Sequence, residues 1–452
     1  MSGGIQGILE NPGRETELLV GIARRVLDQA RDLGAEQAEV SVSSSLGREV
    51  TVRLGEVDVL EEARDRGVSV TVYKNRCTGT VSSGDLRPEA IDEAVTRAMG
   101  IARQTQPDPA SGLADAERMA TEFPDLDLWH PEDLSVGHLL ERARLMEQAG
   151  LEADNRIDNS EGATVATEAA VGLYANSHGF LGTGRRTRYS QSCILVARDD
   201  SGMQRDYDWD QQRRWSRLAD PAETGRKAAE RAARRLNARK APTGPAPVLF
   251  VPEMASELVG HLVGAVSGRN LYRRSSFLID AAGQRLFPAW VEICECPRIP
   301  GGVRSSAFDS EGVATAESPL IHEGMLVRYV LGSYSARKLG LESTANAGGV
   351  RNLIMAPGEL SQDELVAGME RGLVVTEVMG QGVNLVTGDY SRGAAGFWVE
   401  RGEIAYPVEE ITIAGNLRDV FAGLNAAGSD VETRRNIQTP SLRVDGLTIA
   451  GS

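Results

Sequence analysis

The order of the predicted elements constrains the fold of this chain more than any other feature. A helix, several strands and a second helix are predicted over 15–105, and the same order recurs over 135–240 without a visible sequence repeat. The helices have apolar residues at helical spacing, as in ETELLVGIARRVLDQARDL, whereas AEVSVSSS and GVSVTVYKN alternate between apolar and polar residues. Together these patterns predict a mixed domain of helices and antiparallel sheet.

A Pro- and Gly-rich stretch, APTGPAP at 241–247, marks the clearest domain boundary. Beyond it the chain is rich in glycine and strand patterns, and only 252–266 and SQDELVAGMERG read as helices. We therefore predict an α+β fold: a mixed helix and antiparallel-sheet domain over 1–240, then a β-rich domain over 241–452 with an embedded helix. Residues 15–105 and 135–240 are candidate subdomains, joined by an aperiodic linker.

The composition is that of an ordinary globular protein, with 41% hydrophobic and 25% charged residues. The net charge of −15 disfavours nonspecific binding to nucleic acid or to an anionic membrane. The start, MSGGIQGILENPGRETE, lacks the basic and apolar regions of a signal peptide, and no apolar stretch is long enough to span a membrane. Together with only four cysteines, too few for a disulfide framework, this predicts a cytoplasmic location.

Several short motifs have both a functional and an ordinary interpretation. Cys294 and Cys296 form C-x-C, which on a strand places both thiols on one face; inert thiols are favoured over a metal site. FDSEG (308–312) could bind a cation, but a turn is favoured. GSYSARKLG has serines and a lysine at close spacing, but a serine nucleophile is not favoured there. The clusters GGVRN, MGQGVN and TGDYSRGAAG match no phosphate-binding motif and predict tight strand connections.

The predicted helix at 252–266 contains the most informative stretch, SELVGH (256–261). Pro252 suits a first helical position, and Glu253, Glu257 and His261 recur at i, i+4 and i+8, roughly on one face. A zinc-protease motif H-E-x-x-x-H would need histidine in place of Ser256, and a serine hydroxyl is a poor zinc ligand. The residues alone favour an ordinary helix with a polar stripe and one hydrogen-bonded histidine over a metal site.

Longer motifs in the C-terminal half carry a family resemblance. They are SGRNLYRRSSFL, FDSEGVAT, GSYSARKLGLESTANAGGVRN, GLVVTEVMGQGVNLVTGDYSRGAAGFWVERGEI and EITIAGNL. In these motifs the chain resembles the TldD/PmbA family, and more narrowly its PmbA branch, also called TldE. The resemblance is strong over about 243–450 and looser over 15–240.

The resemblance implies a subunit of a heterodimeric cytosolic metalloprotease that acts on unfolded peptides, of the kind associated with microcin maturation and antitoxin degradation. In such complexes the TldD subunit carries H-E-x-x-x-H and a C-terminal cysteine as metal ligands, and the PmbA subunit completes an enclosed chamber. Here Ser256 replaces the first histidine, Glu257 and His261 are present, and the tail 425–451 has no cysteine. We therefore expect no catalytic residue, metal or other cofactor in this chain, and zinc in a TldD-type partner.

The leading hypothesis is thus a non-catalytic subunit that closes the chamber and positions peptide, with neither nucleic acid nor membrane as partner. Two alternatives stay open. One is a self-sufficient metallopeptidase that uses Glu253, Glu257 and His261 with a distant ligand such as Glu311 or His322. The other is a non-proteolytic peptide-binding scaffold.

Overall fold

The structure is a computed structural model that describes residues 7–200 and 202–451. The residues on which the signal-peptide prediction depends therefore lie partly outside the described ones. The chain divides into two compact units. The first unit runs to Ala197 and also includes Arg205–Ala232 and Ala307–Thr315, whereas the second contains Arg198–Gln204, Ala233–Ser306 and the chain from Ala316 onward.

The first unit is built on a six-stranded sheet with the order β3-β2-β1-β4-β5-β6. Its strands are β1 (Gln37–Arg53), β2 (Glu56–Lys74), β3 (Cys77–Ser83), β4 (Ile157–Asn176), β5 (Leu181–Asp199) and β6 (Gly202–Gln212). The helices are α1 (Gly7–Glu10), α2 (Pro12–Asp32), α3 (Pro88–Ala102), α4 (Val136–Leu151) and α5 (Pro221–Arg234). The pairs β1–β2, β2–β3, β1–β4 and β4–β5 are all antiparallel.

Strand β1 joins the two halves of this sheet, because it pairs with β2 on one side and β4 on the other. The candidate subdomains 15–105 and 135–240 therefore contribute strands to one continuous sheet. The core lies under α2 and α3, where their apolar faces meet alternate residues of β1, β2 and β4 such as Val40, Val68 and Val171. This one-sided burial is the physical reason for the alternation in the sequence.

The second unit contains the remaining α-helices and strands of the described residues. Its helices are α6 (Pro252–Ala265), α7 (Gly268–Tyr272), α8 (Ser333–Leu339), α9 (Gln362–Ala367) and α10 (Leu417–Ala422). Its first strands are β7 (Gly244–Phe250), β8 (Ile293–Glu295), β9 (Ser318–His322), β10 (Met325–Leu326), β11 (Leu353–Met355) and β12 (Arg371–Met379). The remaining strands are β13 (Val383–Asn384), β14 (Asp389–Glu400), β15 (Glu403–Asn416), β16 (Leu424–Ala427), β17 (Ile437–Gln438) and β18 (Leu442–Ala450).

These strands form two sheets around one large core. The larger sheet has the order β12-β7-β18-β15-β14-β13, and an additional β12–β14 pairing closes it on itself. The smaller sheet has the order β10-β9-β8-β11-β17. Helix α6 follows β7 directly, and its apolar residues Leu258 and Leu262 join the core that both sheets share. The predicted α+β class, with a β-rich second part and an embedded helix, is confirmed.

The domain boundary and the linker are less simple than the sequence patterns indicate. The sequence divides the chain at 240/241, whereas in the structure 198–204 and 233–240 belong to the second unit and 307–315 to the first. The aperiodic segment between α3 and α4 has only the short 3-10 helix Ala116–Arg118, yet it buries Leu113 and Ala120. No helix among the described residues is both long and apolar enough to cross a membrane.

Candidate functional site

Helix α6 holds the predicted site residues, and its sequence explains how they are placed. Pro252 occupies the first turn, where a missing N–H costs nothing. One face of the helix, including Ala255 and Leu262, is buried in the core of the second unit. Glu257 and His261 lie on the less buried face, so the structure places them as the sequence pattern predicts.

Ser256 does not face an open ligand position. Its side chain is only 5% exposed, and its hydroxyl donates a hydrogen bond of 2.7 Å to the carbonyl oxygen of Glu253 in the same helix. This back-bond satisfies the hydroxyl within the helix. The position at which H-E-x-x-x-H requires a histidine therefore holds a small, buried side chain that is hydrogen-bonded to the backbone of its own helix.

Two arginines flank the acidic residues of α6. The Arg392 guanidinium lies 3.8 Å from the Glu257 carboxylate, and its Nε donates to the carbonyl oxygen of Met379 at 3.0 Å. Arg434 lies 3.6 Å from the Glu253 carboxylate. A divalent cation on this face would be placed beside fixed positive charge, which opposes its binding.

His261 contacts an aromatic ring. Its ring and that of Tyr390 meet edge to face with centroids 6.0 Å apart, and the part of the chain that the structure describes shows no hydrogen-bond partner for the imidazole. Burial, with a smaller contribution from the Arg392 charge, lowers the pKa of His261. Burial also raises the pKa of Tyr390 to about 12. The neutral imidazole is thus favoured, but the predicted hydrogen bond is not found.

The tail that would carry the family's cysteine runs beside α6. The Thr439 hydroxyl donates to the carbonyl oxygen of Pro252 at 3.0 Å, and Arg434 also pairs with the buried Glu432 carboxylate. The tail contributes the Arg434 guanidinium here, and its sequence over 425–451 contains no cysteine. One imidazole and two carboxylates beside arginines do not match the ligand set of a zinc protease. The residues of α6 therefore do not fit the metal that the family implies.

The distant ligands of the alternative hypothesis have contacts within their own surroundings. Glu311 belongs to the first unit, and its N–H donates to the Asp309 carboxylate at 2.9 Å. His322 Nδ1 lies 3.0 Å from the Glu292 carboxylate, which raises the histidine pKa. Among the described residues, donor atoms of His, Cys, Asp and Glu converge as a candidate metal group at Cys294, Cys296 and Glu317.

The other motifs take their ordinary structures. FDSEG is a turn, because the Asp309 carboxylate accepts from the N–H groups of Glu311 and Val313 and Gly312 has φ +82°. Ser335 of GSYSARKLG donates to the Gly332 carbonyl oxygen within the first turn of α8. MGQGVN connects β12 to β13, as predicted, and GGVRN leads into β11. TGDYSRGAAG instead lies mostly within β14, and only Thr387 and Gly388 belong to the connection from β13.

A groove on the sheet of the first unit was not predicted from the sequence. It has a volume of about 570 Å³ and lies on the face of the sheet opposite α2 and α3. Its floor is a row of small cross-strand neighbours, with Ser43 of β1 between Gly67 of β2 and Gly172 of β4. The available signal was the serine at every second position of AEVSVSSS, which marks an exposed polar face.

Sequence comparison identifies the family. Domain models of the PmbA/TldA metallopeptidases match 38–102 (domain 1), 129–236 (central domain) and 243–451 (C-terminal domain). The Metalloprotease PmbA of Escherichia coli O157:H7 is 46% identical over 95% of this chain and 97% of its own length. The chain belongs to the TldD/PmbA family. The Metalloprotease PmbA homolog of Haemophilus influenzae is 42% identical over 97% of both proteins.

Solved structures of TldD/PmbA-like proteins have the same fold. A Bacteroides thetaiotaomicron protein described as a candidate modulator of DNA gyrase superposes with a TM-score of 0.91 at 27% identity, over 96% of this chain and 99% of that one. TldE from Thermococcus kodakarensis superposes with a TM-score of 0.83 at 21% identity, over 96% of this chain and all (100%) of that one. The second likeness concerns the fold alone.

Proposed function

We propose that this chain is the non-catalytic, PmbA-type subunit of a TldD-type metalloprotease, and that it closes a peptide chamber and positions unfolded peptide. One observation carries the proposal: in helix α6 the first ligand position is a serine bonded to its own helix, and Glu253 and Glu257 face arginines. A catalytic zinc needs three converging protein ligands and an open position, which this helix lacks.

The groove of the first unit supports the peptide-positioning part of the proposal. Gly67, Ser43 and Gly172 leave the backbone of adjacent strands accessible over the groove floor. An added Cβ at Gly172 would meet nothing within 4 Å, so there is open space above it. An extended peptide fits into the space beside these small residues with few requirements on its own side chains. Such a groove suits unfolded substrates.

Reconstitution with a TldD-type partner tests this function. We expect the chain alone to cleave neither folded nor unfolded protein, and an equimolar mixture to elute as one complex and cleave only the unfolded substrate. Stoichiometry from light scattering separates a complex from coincident elution.

Each alternative hypothesis predicts a different result. Cleavage by the purified chain alone would favour the self-sufficient peptidase. Binding of an unfolded peptide with no complex formed would favour the peptide-binding scaffold. The H. influenzae relative named TldD homolog, 22% identical over 86% of this chain, exemplifies the type of partner to use.

A further inference from the structure

The second unit contains a cluster of metal-binding side chains that is separate from helix α6. Cys294 lies in β8 and Cys296 directly follows it, while Glu317 immediately precedes β9. Strand β8 pairs with both β9 and β11, and the Cys296 N–H donates to the carbonyl oxygen of Asn352 at 2.7 Å. Both cysteines therefore lie on hydrogen-bonded backbone, and Glu317 is next to the first residue of β9.

The alternation of β8 directs both thiols to one face. The residue between them, Glu295, is 3% exposed and points the other way, where its carboxylate accepts from Arg328 at 2.6 Å and from Asn346 at 3.0 Å. This buried pairing prevents the strand from turning Glu295 outward. Cys294 and Cys296 therefore share the opposite, half-buried face with Glu317.

The ligand atoms of the cluster lie close to one another. All three lie within 4.8 Å of one another, and Cys294 Sγ is 3.9 Å from a carboxylate oxygen of Glu317. Tetrahedral zinc with bonds of about 2.3 Å to sulfur and about 2.1 Å to oxygen places its ligand atoms about 3.5–3.8 Å apart. Rotamer adjustments of about 1 Å, small for a glutamate with three free torsions and cysteines with one, close that gap.

We propose that Cys294, Cys296 and Glu317 bind one zinc ion through two thiolates and a carboxylate, with the fourth position open to water. Thiolates select soft or borderline cations over magnesium and calcium, which prefer all-oxygen sites. The half-buried thiols and the exposed Glu317 leave the ion a path from solvent.

Burial is the main influence on the two thiols in the metal-free chain. Burial, followed by the neighbouring Cys294, raises the pKa of Cys296 to about 12, and burial also raises the pKa of Cys294. The charges of Glu317 and Glu295 help to raise the pKa of Cys296, whereas the charge of Arg328 acts to lower the pKa of Cys294. Zinc binds cysteine as the thiolate, so each thiol gives up its proton when the ion binds.

This inference departs from the expectation that the chain holds no cofactor, and it is independent of the proposed subunit role. Helix α6 contains no cysteine and so offers no thiolate, whereas the C-x-C site offers two. A thiolate signature therefore distinguishes the two places even if a metal is found in the purified protein.

Cobalt substitution of the full chain gives the most direct test. The protein is kept reduced with a phosphine, stripped with a chelator, and titrated with Co²⁺ while near-ultraviolet thiolate-to-cobalt charge-transfer absorption is recorded. We expect saturation at one equivalent and displacement of the band by one equivalent of Zn²⁺. The doubly substituted chain C294S/C296S should lose the band, and Glu317→Gln should weaken binding at least about tenfold.

Cys77→Ser is the matched control, because Cys77 is buried in the first unit and its thiol donates to the backbone carbonyl oxygen of Asn75 at 3.6 Å. The band should persist in this variant. Glu317 is exposed, so its variant tests the site even if the double cysteine variant fails to fold. Absence of the band in the wild-type chain, or its full retention in Glu317→Gln or in a folded C294S/C296S, would overturn the proposal.

Discussion

At the residue scale, three side chains in and around α6 distinguish it from the helix of a zinc protease. Ser256 removes a nitrogen ligand, while Arg392 and Arg434 add positive charge next to Glu257 and Glu253. The serine is visible in the sequence. The arginines are not, since residue 392 is 135 positions from residue 257 along the chain and only the fold brings the two together.

Substitution of His261 tests whether the imidazole does chemistry. His261→Ala should leave the peptidase rate of the reconstituted complex within about twofold, with a stability loss of about 1 kcal/mol from the lost contact with Tyr390. Initial rates at saturating peptide, together with unfolding curves, provide the measurement. A rate loss of about a hundredfold in a folded variant would make His261 catalytic.

The two histidines of the second unit predict opposite effects of pH on stability. Burial lowers the folded-state pKa of His261 below the unfolded value of about 6.5. The stability that the neutral imidazole contributes is therefore fully present above about pH 6.5 and is lost as the pH falls toward the lower folded pKa. Pairing with Glu292 raises the pKa of His322, so its smaller, exposed contribution is present below about 6.5 and is lost as pH rises through the raised pKa.

Urea unfolding at about pH 7.5 and pH 5.5, on either side of the unfolded value, measures the difference. Between the higher and the lower pH, the His261→Gln variant should lose less unfolding free energy than the wild type. The His322→Gln variant should lose slightly more than the wild type. Equal pH dependence in His261→Gln and the wild type would contradict the assigned burial of the imidazole.

At the element scale, the helices and strands could be predicted because their periodicity reports one-sided burial. The sequence predicts a helix at 252–266, and α6 spans Pro252–Ala265. The sequence predicts AEVSVSSS and REVTVRLG as two separate strands, whereas β1 (Gln37–Arg53) continues from the first into the second. Gly47, which lies between them, pairs with Ala63 on one side and Glu168 on the other. In the sequence this glycine indicates the end of a strand, but pairing with strands on both sides keeps it in the sheet.

The contact between α4 and α5 depends on a glycine. A Cβ at Gly225 would lie 1.9 Å from the carbonyl oxygen of Met146, so the helices would have to separate. Gly225→Ala should cost about 3 kcal/mol of unfolding free energy. Gly100→Ala is the control: its Cβ meets nothing within 4 Å in α3, and alanine should add up to about 1 kcal/mol. Similar effects of the two variants in urea unfolding would contradict the close packing.

Filling the groove tests its part in peptide positioning. Gly172→Val places a side chain in the open space above the groove floor, where it should raise the KM for unfolded peptide several-fold without weakening partner binding. Gly47→Val is the matched control, since Gly47 lies in β1 outside the groove and an added Cβ has an ordinary contact of 3.6 Å. An unchanged KM in Gly172→Val would remove the groove from the account.

At the scale of the whole molecule, the fold class follows from element order, but the division of the chain into units does not. The segment 307–315 belongs to the first unit although it lies far beyond the boundary at 241–247. Phe308 explains why, because its ring packs against Phe180 with centroids 5.3 Å apart and against Phe123 at 5.9 Å. No local pattern in FDSEG indicates an aromatic partner so distant in sequence.

The candidate site was only partly predictable for the same reason. Ser256, Glu257 and His261 lie within one helix, and local spacing is enough to place them together. The C-x-C pair was visible, but Glu317 completes its cluster through the β8–β9 pairing, which the sequence does not indicate. Long-range pairing therefore decides which of the short motifs become candidate sites.

A paired substitution in the reconstituted protease tests the central claim most directly. Glu257→Gln in this chain is combined with a wild-type TldD-type partner, and the glutamate of the partner's H-E-x-x-x-H motif is changed to glutamine opposite the wild-type chain. We predict that cleavage of unfolded peptide is unchanged in the first complex and falls at least about a hundredfold in the second. Loss of cleavage in the first complex with full cleavage in the second would place the catalytic site in this chain and contradict the account.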